Sequence, residues 1–291
     1  MNNLFTMTQP PQHSWFMALV PILTQASHLL LVEYQYYCNG DEFKILEKND
    51  NSPVTQADLR VNQYLIQQLQ QLTPNIPILS EESDYTQRHT WSLCWLLDPL
   101  DGTKEFLHRR DQFTINLSLI EQGKTIFSAI AVPCEQVIYL ADTQHLPYKY
   151  HIVDNEWQQY TPQHRGKRDT LYIATSHHSH SALYPKFMDY LQQKIPIRFI
   201  AAGSAYKFCM MLEGKIDLYP RFHPTSEWDT SAGQGLLEQI GGGLLALNQK
   251  PFTYNQRPQL LNGGFIAVTD SELFELAFET WQAVHSSNLA E

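Results

Sequence analysis

Between Gln56 and Leu72 the apolar residues Leu59, Leu65, Ile66, Leu69 and Leu72 recur at helical spacing, so this segment predicts an amphipathic helix. Pro74 and Pro77 bracket a turn after it, and Ile76 to Leu79 reads as a short buried strand ending at the acidic run SEESD. Ser92 to Leu97 predicts a second buried strand. From Phe113 to Ala141 the pattern changes to TINLSLI, TIFSAIAV and VIYLA, with turn signals at Gln122-Gly123 and Pro133, which is an antiparallel meander. Residues 142–169 are polar and irregular, which puts the main boundary near residue 168. Beyond it the strands LYIATS, IRFI, KIDLY, GLLAL and GFIAV alternate with helical patterns over 181–194, 204–213, 229–240 and 270–284. The expected class is layered α/β. Its first part (1–168) is α+β on an antiparallel sheet, and its second (169–291) is α/β on a mixed sheet.

The segment from Trp15 to Val32 is apolar but interrupted by Pro21, Gln25, Ser27 and His28. It is a poor membrane span and predicts an amphipathic helix packed on its own domain. The first Lys or Arg is Lys44, so the basic region of a signal peptide is missing. The four cysteines, Cys38, Cys94, Cys134 and Cys209, form no CxxC pair and suit a reducing cytoplasm. Association with a membrane surface, such as the cytoplasmic face of an inner membrane, stays open, as does the oligomeric state.

Hydrophobic residues make up 43% of the chain, enough for a full core. Twenty basic residues against 30 acidic ones give a formal charge of −10, with no basic run, which disfavours polymeric nucleic acid. A phosphorylated small molecule would need cations to bind such a chain.

The stretch WLLDPLDGTKEF (95–106) drives an apolar strand into Asp98 and Asp101, three residues apart, and then into Gly102-Thr103 and a short helical pattern. Carboxylates at a strand end beside free amides suit a hard cation together with a phosphate. An ordinary turn with Asp at cap positions has the same composition. Three more stretches bring carboxylates to the ends of elements: Glu81 and Glu82 in ILSEESD, Asp58 in SPVTQAD, and Asp229 in EWDTSAG. For Asp58 and Asp229 the alternative is a helix cap, and for Glu82 a solvated turn. His177, His178 and His180 lack a second matching pair for zinc, so oxygen-ligand chemistry is favoured.

In their order along the chain, NSPVTQAD (51–58), LSEE (79–82), DPLDGTKEF (98–106), GSAYKF (203–208) and LYPRFHPTSEWDTSAG (218–233) resemble the motif set of the inositol monophosphatase superfamily. The match is closest to its bacterial 3'(2'),5'-bisphosphate nucleotidase branch. The resemblance implies alternating αβαβα layers and a lithium-sensitive phosphatase using two or three Mg2+ ions. By resemblance the metal ligands are Glu81, Asp98, Asp101, Asp229 and the carbonyl of Leu100. Glu81 and the dyad of Asp58 and Thr103 would serve catalysis, Asp58 orienting Thr103 toward the attacking water. Gly102, Thr103 and Lys104 would cradle the reacting phosphate, in contact with Glu81, Asp101 and Asp229. Gly203, Ser204, Lys207 and Arg221 would surround the second phosphate and the ribose, and His177 the base. Thr175 stands where the family often has arginine, and the first 40 residues depart from the usual short helix.

The implied reaction releases the 3'-phosphate of adenosine 3',5'-bisphosphate, and of 3'-phosphoadenylyl sulfate, in sulfate assimilation. An inositol or sugar monophosphatase of the same superfamily and a non-catalytic nucleotide or metal sensor are the alternatives. Without the resemblance, Ser204 would read as a helix cap and Lys207 as a solvated lysine.

Overall fold

The structure, a computed structural model, describes residues 4–11, 14–47, 53–83, 86–162, 168–177 and 181–288. Asn51, Ser52, His178 and His180 lie outside them. In chain order the first elements are β1 (Phe5–Thr8), α1 (Ser14–Asn39), β2 (Ile45–Glu47), β3 (Pro53–Thr55), α2 (Gln56–Leu72), β4 (Ile78–Ser80) and β5 (Leu93–Asp101). Then come α3 (Thr103–Leu107), β6 (Thr114–Glu121), β7 (Lys124–Val132), β8 (Val137–Asp142), β9 (Tyr148–His151), β10 (Glu156–Tyr160), β11 (Leu171–Thr175) and α4 (Leu183–Gln192). The chain continues through β12 (Ile197–Ala201), α5 (Tyr206–Leu212), β13 (Leu218–Arg221), β14 (Thr225–Ser226), α6 (Ser231–Glu238), β15 (Gly243–Ala246), β16 (Leu261–Asn262), β17 (Phe265–Val268) and α7 (Glu272–Asn288).

Two sheets organise the molecule. The larger has the order β1-β10-β9-β8-β7-β6-β5-β4, antiparallel except where β4 lies parallel to β5. The smaller, β12-β11-β13-β17-β15, is mixed: β11 pairs parallel with β12 and β13, and β17 pairs antiparallel with β13 and β15. Strand alternation sends successive side chains into different cores. On β5, Trp95 and Leu97 pack with α1 and α2, while Cys94 and Leu96 pack on the other face with α5 and α6. On β17, Phe265 and Ala267 join that same central core, and Ile266 and Val268 face α4 and α7. The layers therefore run α1/α2, large sheet, α5/α6, small sheet, α4/α7, which is the expected αβαβα order.

The stretch read as irregular after residue 142 folds otherwise. It forms β9 and β10, and β1 adds beyond them, with Phe5 opposite Tyr160. Intervening polar residues hid buried aromatics, Tyr148, Tyr150 and Trp157 in the core with α1 and Tyr160 in the other core beside Phe5. Leu59, counted on the apolar side of α2, faces solvent. The N-terminal helix also exceeds its expected end at Val32. It continues through Pro21 to Asn39, and Trp15–Asn39 is long and apolar enough to cross a membrane by length and composition. In the fold Phe16, Leu19, Leu23, Ala26 and Leu30 are fully buried on the large sheet and α2. Glu33, buried on the same helix, accepts from Gln56 (2.7 Å) and pairs with Arg60. All four cysteines are free thiols.

Candidate metal and phosphate site

Strand β5 answers why two aspartates stand three apart. In a regular strand, positions separated by an odd number point to opposite faces. Here the register against β6 slips: Asp98 pairs with Asn116 and Asp101 with Thr114, so three steps on β5 span two on β6. This β-bulge absorbs one residue and turns both carboxylates to the same side. Asp229, from the turn between β14 and α6, completes a group whose ligand oxygens all lie within 4.8 Å of one another.

Local bonds fix each member. Asp98 Oδ1 accepts from the Leu100 amide at 3.0 Å. Asp101 Oδ2 accepts from Asn116 Nδ2 (3.1 Å) and from the Ala205 amide (2.5 Å). Asp229 Oδ2 accepts from the Ser226 amide (3.1 Å) and from the Thr225 hydroxyl, both upstream of it. It therefore does not cap α6, whose N-cap residue is Thr230 and makes no side-chain cap bond. Glu81 follows β4, its amide donating to Leu97 O at 3.1 Å, and its charge reaches Asp98 although its oxygens are not in the tight group.

Burial and mutual repulsion dominate this cluster. Burial first, then the charges of Glu81, Asp101 and Asp229, raises Asp98 well above the carboxylate range. Burial and Asp229 push Asp101 to about 7, against the opposing pull of Asn116, Lys207 and the Ala205 amide. Burial also raises Asp229, with Arg221 pulling the other way. Three converging carboxylates, under-supplied with positive charge, form an all-oxygen donor set that fits a hard divalent cation.

Asp58 serves two partners at once. Its Oδ2 accepts from the Thr55 amide and hydroxyl (2.8 and 2.6 Å), closing the capping box that starts α2. Its Oδ1 lies 3.3 Å from Thr103 Oγ, which stands equally far from the Leu100 carbonyl. The cap reading and the dyad geometry hold together. Gly102 precedes α3 with φ +91°, a left-handed conformation that a side chain would strain.

A cavity of about 220 Å³ opens beside the cluster. Of the expected residues its wall contains Asp101, Gly102, Lys104, Gly203, Ser204, Lys207, Arg221 and Asp229. Lys207 is not a solvated lysine: it is 3% exposed, donates to the Ala202 carbonyl (3.1 Å) and lies 5.1 Å from the Tyr219 ring centre. Ser204 is not the N-cap of α5, which is Ala205; its hydroxyl accepts from the Tyr206 amide (3.1 Å) while donating to the Gln112 carbonyl (2.7 Å). Arg221 donates to Tyr219 Oη and the Pro224 carbonyl, both at 3.3 Å, and its Nε is buried with no hydrogen-bond partner among the described residues. His177 is outside this cavity, in an adjoining groove with Arg110, Glu135 and Tyr206. Gln112 joins the two spaces, its Oε1 accepting from the Gly203 amide (2.9 Å) and lying 3.0 Å from His177 Nε2.

Sequence reasoning passed over Glu105, Gln112, Asn116, Tyr219 and Thr225. Asn116 had a signal, being polar at an inward position of a buried strand. Gln112, in the loop RRDQF, had none.

The inositol monophosphatase family profile matches residues 12–285. The 3'(2'),5'-bisphosphate nucleotidase CysQ of Salmonella typhimurium is 36% identical over 238 residues, covering 79% of this chain and 91% of that protein. Its counterpart in Haemophilus influenzae is 33% identical over 282 residues, covering 92% and 100%. Among solved structures, CysQ from Bacteroides thetaiotaomicron, described as a bacterial member of the inositol monophosphatase family, superposes with a TM-score of 0.73. It is 30% identical, covering 87% of this chain and 96% of that one. An inositol monophosphatase from Thermotoga maritima shares the fold, with a TM-score of 0.75 at 17% identity, covering 94% and 99%.

Proposed function

The chain belongs to the inositol monophosphatase family of phosphatases, and from that premise we propose that it is a Mg2+-dependent 3'(2'),5'-bisphosphate nucleotidase. It converts adenosine 3',5'-bisphosphate to AMP and phosphate and acts on 3'-phosphoadenylyl sulfate in the same way, in the cytoplasm. The observation that carries this reading is the cluster of Asp98, Asp101 and Asp229, the last two lining a cavity that also holds Lys104, Lys207 and Arg221. A monophosphate needs only the first group, and a second phosphate accounts for the additional cations.

Asp98, Asp101, Asp229, the Leu100 carbonyl and Glu81 would hold the ions. When bound, Mg2+ supplies Lewis acidity to the phosphoryl oxygens and lowers the pKa of the attacking water. The chain's own residues orient and move the proton. Thr103 Oγ donates toward Asp58 Oδ1, which leaves its lone pairs open to a water proton, and Asp58 is held for this by Thr55. Gly102, without a side chain, lets the phosphate approach the backbone of the turn. The transition state spreads charge over the transferred oxygens, so positioning and neutralisation carry most of the acceleration.

The test is phosphate release from adenosine 3',5'-bisphosphate, AMP and inositol 1-phosphate side by side, with and without Mg2+ and with added Li+. The expected result is Mg2+-dependent, Li+-inhibited turnover of the bisphosphate far above the other two. Preference for inositol 1-phosphate would move the chain to the inositol branch, and no turnover would leave a binding protein.

A further inference from the structure

Glu105 has no task in the chemistry above, yet it is 7% exposed and lines the cavity beside Asp101 and Asp229. Among the described residues, none donates a hydrogen bond to its carboxylate. Two glycines make room for it. A β-carbon on Gly203 would stand 2.2 Å from Glu105 Cγ and 2.8 Å from Oε1, and one on Gly102 would stand 3.4 Å from Oε2. The carboxylate is thus wedged between the turn after Asp101 and the turn before α5, both of which line the cavity.

A carboxylate that lines the cavity with no donor among the described residues is open to one that a ligand provides. A phosphate cannot, since like charges repel, and Lys104, Lys207 and Arg221 already offer anionic groups better places. The fitting partner is a neutral donor. In a 3'-phosphorylated ribose, the 2'-hydroxyl sits on the carbon next to the one carrying the phosphate ester. A phosphate held at the Gly102-Thr103 turn therefore brings that hydroxyl close to Oε2, which lies against Gly102.

We propose that Glu105 accepts a hydrogen bond from the hydroxyl vicinal to the scissile phosphate and so selects substrates that carry one. The identity of the sugar rests on the nucleotidase reading, whereas the demand for a neighbouring hydroxyl rests on the geometry.

The experiment is kcat/KM for adenosine 3',5'-bisphosphate and its 2'-deoxy counterpart on wild type, Glu105→Gln and Glu105→Ala. Wild type should favour the ribonucleotide about tenfold or more, the worth of one hydrogen bond to a charged acceptor. Glu105→Ala should bring the ratio within about threefold, with the loss falling on the ribonucleotide. Glu105→Gln, close in shape and a weaker acceptor, should lie between and keeps the test valid if the alanine variant does not fold. A wild-type ratio near one, or equal losses on both substrates, overturns the proposal and makes Glu105 a prop between two turns. Turnover of inositol 1-phosphate but of neither nucleotide would defeat the nucleotidase reading alone. Glu105 would then be judged by the same ratio for inositol 1-phosphate and an analogue lacking the neighbouring hydroxyls.

Discussion

Helix α5 separates two sets of half-buried acids that the fold treats in opposite ways. At its start, Lys207 faces Asp101 and Asp229; burial raises both carboxyls above their ordinary range, and for Asp101 the charge of Asp229 adds to it. At its end, burial pushes Glu213 up as well, but Lys149, Tyr139 and Lys215 more than reverse it and hold the group at about 2. Tyr139 donates at 2.7 Å, Lys215 approaches to 3.0 Å, and Lys149 completes the pairing. Desolvation is common to both groups, so partners decide the sign. The Glu213 group is complete within the protein. The aspartate group is complete only with a ligand, and that incompleteness marks it as the working site.

The strongest way to break this contrast is Asp98→Asn. It keeps the side chain's shape and removes one charge from the cluster. Activity should fall at least about 100-fold and recover poorly with excess Mg2+. The metal-free protein should unfold at a higher temperature than wild type, because a repulsion has been relieved. Near-normal turnover, measured as phosphate release, would remove the metal from the reading.

Lys207→Ala sharpens the contrast at its weakest point. If Lys207 compensates a second phosphate, the preference for bisphosphate over monophosphate should narrow by at least about tenfold, equivalent to ~1.4 kcal/mol. Its bond to Ala202 and its proximity to Asp101 and Asp229 offer another outcome. Equal losses in kcat/KM on both substrates would assign it to the acid cluster, leaving Arg221 as the specificity cation.

The aspartates also set a pH dependence. Asp101 ordinarily titrates at 3.8 and here at about 7. Below about pH 4 both folded and unfolded chains carry the proton, and no penalty arises. As pH rises from 4 to 7 the unfolded chain releases it first, so the cluster's contribution to stability declines. In chelator, Tm should fall by about 5–10 °C between pH 5 and pH 8. At pH 8, saturating Mg2+ should restore most of that, since binding only the folded state stabilises it. A flat profile in chelator would mean that the cluster is already neutralised by the protein.

The motifs made the donors readable from sequence, but not the way they are assembled. Asp98, Asp101, Asp229 and Asp58 could be picked out because carboxylates at element ends stand out against apolar strands, whereas Thr103 was named only through the family resemblance. The bulge that aligns Asp98 with Asp101 could not, since register depends on the partner strand β6. Lys207 read as solvated because nothing local announces that Tyr219 and Ala202 will enclose it. Glu105 read as one polar residue of a short helix, and the signal lay about a hundred residues away at Gly203. Strands β9 and β10 were missed because their buried aromatics alternate with polar residues in a segment that looked like a linker.

The smallest expected effect lies in the completed group, with the opposite sign. Glu213 is 17% exposed on its side chain, so its pairing is only partly screened. Its folded value of about 2 is below the ordinary 4.5, so the stabilisation is fully present above about pH 4.5 and is lost as pH falls toward 2. Glu213→Gln keeps an acceptor for Tyr139 but leaves Lys149 facing a neutral amide. The expected cost is about 1–3 kcal/mol at pH 7, roughly 2–6 °C in Tm, shrinking toward zero near pH 2. Turnover at saturating Mg2+ should stay within about twofold of wild type, because α5 keeps Lys207 in place. A variant that lost activity in step with Asp98→Asn would couple the two ends of α5, and the division between a structural pair and a working cluster would fail.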